Sequence, residues 1–103
     1  MAAKFRYIKT IDAKTTASTS STVTAVDVLA HNFHFIGSSI TTGATITVQS
    51  SLDGSDWYTE KVVAMSADGV FAVDFIKPIH SFRVALNALT DGTYTVKYLG
   101  SND

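Results

Sequence analysis

Few side chains in this 103-residue chain have the types and spacing that chemistry needs. The imidazoles are His31, His34 and His80. His31 and His34 stand three apart, which on a strand turns them to opposite faces and spoils a shared set of metal ligands. Glu60 is the single glutamate. With an aspartate it would make the acid and base of a glycoside hydrolase, but it reads as mid-strand, on the side of Tyr58 and Val62, with nothing nearby to raise a carboxyl pKa. Asp53, Ser55 and Asp56 have the oxygen content of a calcium loop without the EF-hand spacing or its closing glutamate. Serine is plentiful, yet no nucleophile elbow of the G-x-S-x-G kind occurs. Cysteine is absent, which excludes a disulfide framework, a thiol nucleophile and a cysteine-built zinc site. The expectation is a non-enzymatic protein that needs neither metal nor cofactor.

What remains is contact chemistry. Trp57 and Tyr58 are adjacent, so on a strand they face opposite ways and one ring points outward or to an edge, where it can stack on a sugar or fill a partner's pocket. The other candidate is the basic N-terminus. Residues 1–14 carry Lys4, Arg6, Lys9 and Lys14 against Asp12, a local +3, while the rest of the chain carries −4 within a net charge of −1. Such a split steers one end of a molecule toward a neighbour's acidic face. Four basic residues in a mildly acidic chain do not suit nucleic acid. The candidate partner-binding residues are therefore Lys4, Arg6, Tyr7, Lys9, Trp57 and Tyr58.

Strands must position these groups. Fourteen Thr, eleven Ser and a single Pro, with many Val and Ile, favour extended structure, and no apolar stripe of helical period appears. Lys4 to Ile11 alternates, with Phe5, Tyr7 and Ile11 on one face, Lys4, Arg6 and Thr10 on the other, and Lys9 interrupting the apolar side. It reads as an edge strand, or as one that pairs with another subunit. Asp12 to Thr22 is small and hydroxylic and reads as a flexible connection. Val23 to Leu29 reads as a strand, with Asn32 as punctuation before Phe33 to Ile40. Ile46, Val48 and Leu52 share a face ahead of the Asp53-Gly54 turn, a strong hairpin signal. Further Asp-Gly turns occur at 68–69 and 91–92. Between and after them Phe71, Val73 and Phe75, then Phe82, Val84 and Leu86, then Tyr94, Val96 and Tyr98 alternate with polar or small residues. About eight strands at this spacing predict an all-β antiparallel sandwich. The division expected is a basic strand and connection over 1–22, then the sandwich over 23–103. The start of the chain lacks a signal-peptide core, no run approaches the roughly 18 apolar residues of a membrane span, and the lack of cysteine favours a reducing cytoplasm.

The stretches TVQSSLDGSDWYTE, GVFAVDFIKPIHSFRVAL and DGTYTVKYLG resemble small virion proteins of tailed bacteriophages. The resemblance is carried by Ser51, Asp53, Gly54 and Trp57, by Phe82, Arg83 and Val84, and by Thr95, Val96 and Tyr98, over roughly residues 45–100. It implies a jelly-roll-like capsid decoration (cement) protein, assembled in the bacterial host cytoplasm onto a virion, with the major capsid protein as partner and a dimer or trimer as its own state. In that picture the N-terminal strand docks on a neighbour. The same hairpin also resembles discoidin-like carbohydrate-binding modules, which implies a glycan ligand on a tail or adaptor component. Those modules are about half as long again and usually carry a cysteine pair, which this chain lacks.

Overall fold

A computed structural model describes residues 5–102. The strands are β1 Phe5–Lys14, β2 Ser18–Thr19, β3 Val23–Thr24, β4 Ala30–Ser38, β5 Ala44–Ser51, β6 Tyr58–Met65, β7 Gly69–Ile76, β8 Ser81–Asn87 and β9 Thr93–Ser101. One sheet runs β1-β9-β4-β7 and the other β2-β8-β5-β6, with β3 also on β8. Every pairing is antiparallel. With β2 and β3 taken as one interrupted strand, every connection crosses between the sheets except the β5–β6 hairpin, the double Greek-key order of a jelly roll. The expected all-β antiparallel sandwich is the fold observed.

Alternation builds the core. Phe33 and Phe35 of β4, Tyr94, Val96 and Tyr98 of β9, Ile46 and Val48 of β5, and Phe82, Val84 and Leu86 of β8 are all buried. Across the sheets, Phe82 meets Tyr98 with ring centroids 4.3 Å apart and meets Phe33 edge-on at 5.2 Å, arrangements that add to simple area burial.

Several expectations are corrected. β1 does not keep Phe5, Tyr7 and Ile11 on one face. Lys9 pairs with Lys97 but Ile11 pairs with Val96, so a bulge at Thr10 shifts the register by one. A one-residue slip exchanges the faces: Ile11 turns into the core while Phe5 and Tyr7 are 64% and 60% exposed. Val23 to Leu29 forms a strand only at Val23–Thr24, then turns. Asn32 lies inside β4, not before it. Leu52 is 80% exposed because β5 ends at Ser51. The hydroxylic 12–22 stretch is also more engaged than a plain linker. β1 runs to Lys14, β2 pairs with Leu86 and Ala85, and the Ser20 hydroxyl accepts the Val84 N–H at 2.9 Å.

Candidate functional site

The outer face of the β1-β9-β4-β7 sheet follows from register. Tyr7, Leu99, Asn32 and Asp74 lie abreast in one row, and Lys9, Lys97, His34 and Ala72 in the next. Phe5, Ser101, Ala30 and Ile76 form a third row. Phe5, Tyr7, Leu99 and Ile76 are thus exposed apolar groups on one sheet face. Tyr7, Asn32, His34, Lys97 and Leu99 line a shallow cavity of about 320 Å³ there. Lys9 and Lys97 stand directly opposite each other, a cross-strand arrangement that costs stability. Asp12 lies 3.7 Å from the Lys9 ammonium and offsets part of that repulsion.

The sequence candidates divide among different places. Lys4 lies outside the described residues. Tyr7 and Lys9 are on this outer face. Arg6 points the other way and makes contacts of its own at the partly exposed margin of the sandwich: its guanidinium donates to the Thr24 carbonyl and pairs with Asp27 at 3.5 Å, tying β1 to the 24–27 segment. Trp57 is half-buried, with the Arg83 guanidinium 4.2 Å from its ring centroid, while Arg83 Nε donates to Gln49 Oε1 at 2.8 Å. This stack lies on the other sheet and holds Trp57 flat rather than offering it at a tip. Tyr58 is 64% exposed, with Lys77 Nζ 4.9 Å from its ring centroid. Missed from sequence were Phe5 as an outward residue, and Asn32, His34, Lys97 and Leu99. The β9 alternation carried a signal for the last two, because Lys97 and Leu99 share parity with Thr93 and Thr95.

The other chemical candidates have structural duties. Asp53 Oδ1 accepts the N–H groups of Ser55 at 2.8 Å and Asp56 at 3.0 Å and the Ser51 hydroxyl at 3.0 Å. The amides of Asp56 and Ser55, then that hydroxyl, hold the Asp53 carboxyl down to about 2. Its oxygen thus faces donors, the opposite of a cation site. Glu60 sits at a bulge in β6, because Lys61 pairs with Val48 while Thr59 pairs with Gln49. Its carboxylate accepts the Ser50 hydroxyl at 2.5 Å and pairs with Lys77. His31 is fully buried while His34 is exposed, the opposite-face arrangement expected. The Lys77 carbonyl can only accept, so His31 Nε2 donates to it at 3.2 Å and Nδ1 accepts the Tyr98 hydroxyl at 2.7 Å. Burial lowers the His31 pKa and raises that of Tyr98 to about 12. Among the described residues no group of three His, Cys, Asp or Glu is placed to hold a metal.

No protein-family profile matches the sequence, and no curated protein matches it. Solved structures share the fold. The SPBc2 prophage-derived protein YomS superposes with a TM-score of 0.76 at 12% identity, covering 98% of this chain and 96% of that one. A family 29 carbohydrate-binding module in complex with cellulohexaose superposes with a TM-score of 0.59 at 7% identity, covering 97% and 92%. A further family 29 module gives 0.52 at 5% identity, covering 96% and 90%. The sandwich is therefore an architecture found both in a prophage protein and in sugar-binding modules, and in each case it accounts for nearly the whole chain.

Proposed function

We propose that this chain is a non-catalytic structural protein of a tailed-phage particle, specifically a capsid decoration protein that fastens to major capsid subunits through the outer face of β1-β9-β4-β7. The observation that carries this reading is the pairing, on one sheet face, of exposed apolar Phe5, Tyr7, Leu99 and Ile76 with the opposed cations Lys9 and Lys97. A contiguous exposed apolar patch marks an interaction surface. Cations set against each other favour an acidic partner, whose carboxylates relieve the repulsion and fix register. The likeness to a prophage protein over the full chain supports the setting. The test is to purify particles and count this chain by quantitative mass spectrometry. Near-stoichiometric copy number with the major capsid protein is expected, and its loss on Tyr7→Ser with Lys97→Glu. Particles lacking the chain overturn the proposal.

A second reading is favoured by the cavity itself. A tyrosine ring lining a shallow cavity with the hydrogen-bonding groups of Asn32 and His34 is suited to a sugar ring, and the fold is shared with a cellulohexaose complex. On this reading the chain is a glycan-binding tail or adaptor component. Trp57, stacked on Arg83 on the other sheet, is a poor reporter for that site. A glycan array followed by NMR titration of the Tyr7, Asn32 and His34 signals is the appropriate test, with no shift for any sugar counting against it.

A further inference from the structure

Sheet edges invite pairing with other chains, and proteins blunt them with short strands, bulges and lysines. Three of the four edges here are blunted. β2 and β3 are two-residue strands. β1 has two register shifts, a left-handed residue at Ala13 (φ 50°) and Lys9 and Lys14 along it. β6 bulges at Glu60 and carries Lys61. β7 has none of these devices. It pairs with β4 in unbroken register from Gly69 to Ile76, and its only charged residue is Asp74. Val70 and Ile76 are 60% and 78% exposed, and Phe71 is 43% exposed although it shares parity with the inward Val73 and Phe75.

We infer that β7 is the contact between two copies of this chain, which pair antiparallel about a two-fold axis at Val73. The strand's own sequence argues for that occupant. Read outward from Val73 in both directions, Val-Phe-Ala-Val-Asp-Phe-Ile is nearly palindromic. The axis sets Phe71 opposite the partner's Phe75, Val70 opposite the partner's Ile76, and Ala72 opposite the partner's Asp74. The Phe71–Phe75 pairs on the inner face and the Val70–Ile76 pairs on the outer face set apolar groups against apolar groups, and each aspartate meets an alanine instead of the other aspartate. Centring on Asp74 would oppose two carboxylates, and centring on Ala72 would set Phe75 against Gly69. Side chains opposite one another share a face, so the two inner faces stay on one side. The result is a continuous eight-stranded sheet, with both copies of the Tyr7 surface on one platform. The contact is isologous and closed, so assembly stops at two. This inference is independent of what the outer face binds.

The absence of cysteine makes a direct test available. Val73→Cys places two thiols at the axis, where opposed Cα atoms are about 4.5–5.5 Å apart, within disulfide range. Under mild oxidation it cross-links as a dimer. Val70→Cys lies about 20 Å from its counterpart at about 3.4 Å per residue and stays monomeric on a denaturing gel. Sedimentation of the unmodified chain shows a concentration-dependent dimer. Ala72→Asp on the exposed face opposes the partner's Asp74 twice and weakens the dimer about tenfold, while Ala72→Lys tightens it by about two- to tenfold. A chain that stays monomeric at every concentration overturns the inference. So does a dimer that Val73→Cys fails to cross-link, or one indifferent to both Ala72 substitutions.

Discussion

At the scale of single residues, the groups that looked reactive turn out to be spent on the fold. His31 is the clearest case, since both ring nitrogens are used and the ring is neutral. Desolvation lowers its pKa from the ordinary 6.5, the hydrogen bond to the Lys77 carbonyl opposing. The unfolded chain takes a proton there near pH 6.5 while the folded chain resists until lower pH. The unfolded state therefore binds more protons in that interval, and stability falls as pH drops below about 6.5, by at most about 1.4 kcal/mol per pH unit for one proton. Urea midpoints measured from pH 7.5 to 5 should show this decline. His31→Gln keeps a donor for the Lys77 carbonyl and an acceptor for the Tyr98 hydroxyl, and should flatten the profile. An unchanged slope in that variant would assign the proton to another group. Asp53 acts in a separate, more acid window. Its stabilisation is complete above the ordinary 3.8 and is lost as pH falls through about 2.

At the scale of elements, the Asp-Gly turns show what was legible and what was not. All of them were readable as turns, and Asp53 braces its own as expected. The other two aspartates reach across the fold to the segment joining β4 and β5. Asp68 Oδ1 accepts the Ile40 N–H at 2.8 Å, and the Asp91 carboxylate accepts the amides of Thr41, Thr42 and Gly43 at 2.9–3.2 Å. No local pattern announces such partners. Alternation likewise marks the inner faces of β5, β8 and β9, but the bulges at Thr10 and Glu60 reverse faces without a sequence mark, so Phe5 and Tyr7 do not share a face with Ile11 as their spacing suggests. Gly43 tests the bracing. Its φ is +116°, and a Cβ there would lie 1.9 Å from the Met65 carbonyl oxygen. Gly43→Ala should therefore cost more than about 1 kcal/mol in a denaturant titration. Asp91→Asn should instead leave the fold intact while amide exchange at Thr42 and Gly43 accelerates.

At the scale of the whole molecule, the N-terminal strand cannot be treated as a detachable arm. Phe5 to Lys14 pairs along β9, Ile11 is 2% exposed, and Arg6 ties the strand to Thr24 and Asp27. β9 in turn holds Tyr94, Val96 and Tyr98 in the core between β1 and β4. Deleting residues 2–14 should strip one side of β9 and open the core beneath it. The expected outcome is loss of a single cooperative unfolding transition, or aggregation. Loss of particle binding by that deletion would follow from unfolding alone. The outer face allows the cleaner experiment, because Tyr7 and Lys97 can be changed while their backbones stay in the ladder. Surface substitutions of this kind usually shift stability by within about 0.5 kcal/mol each. Tyr7→Ser with Lys97→Glu should therefore keep the thermal midpoint within a few degrees while abolishing attachment to particles. Attachment that survives in this folded double variant would move the docking site away from the β1-β9-β4-β7 face, to the exposed Leu52 and Tyr58 at the β5–β6 end of the sandwich.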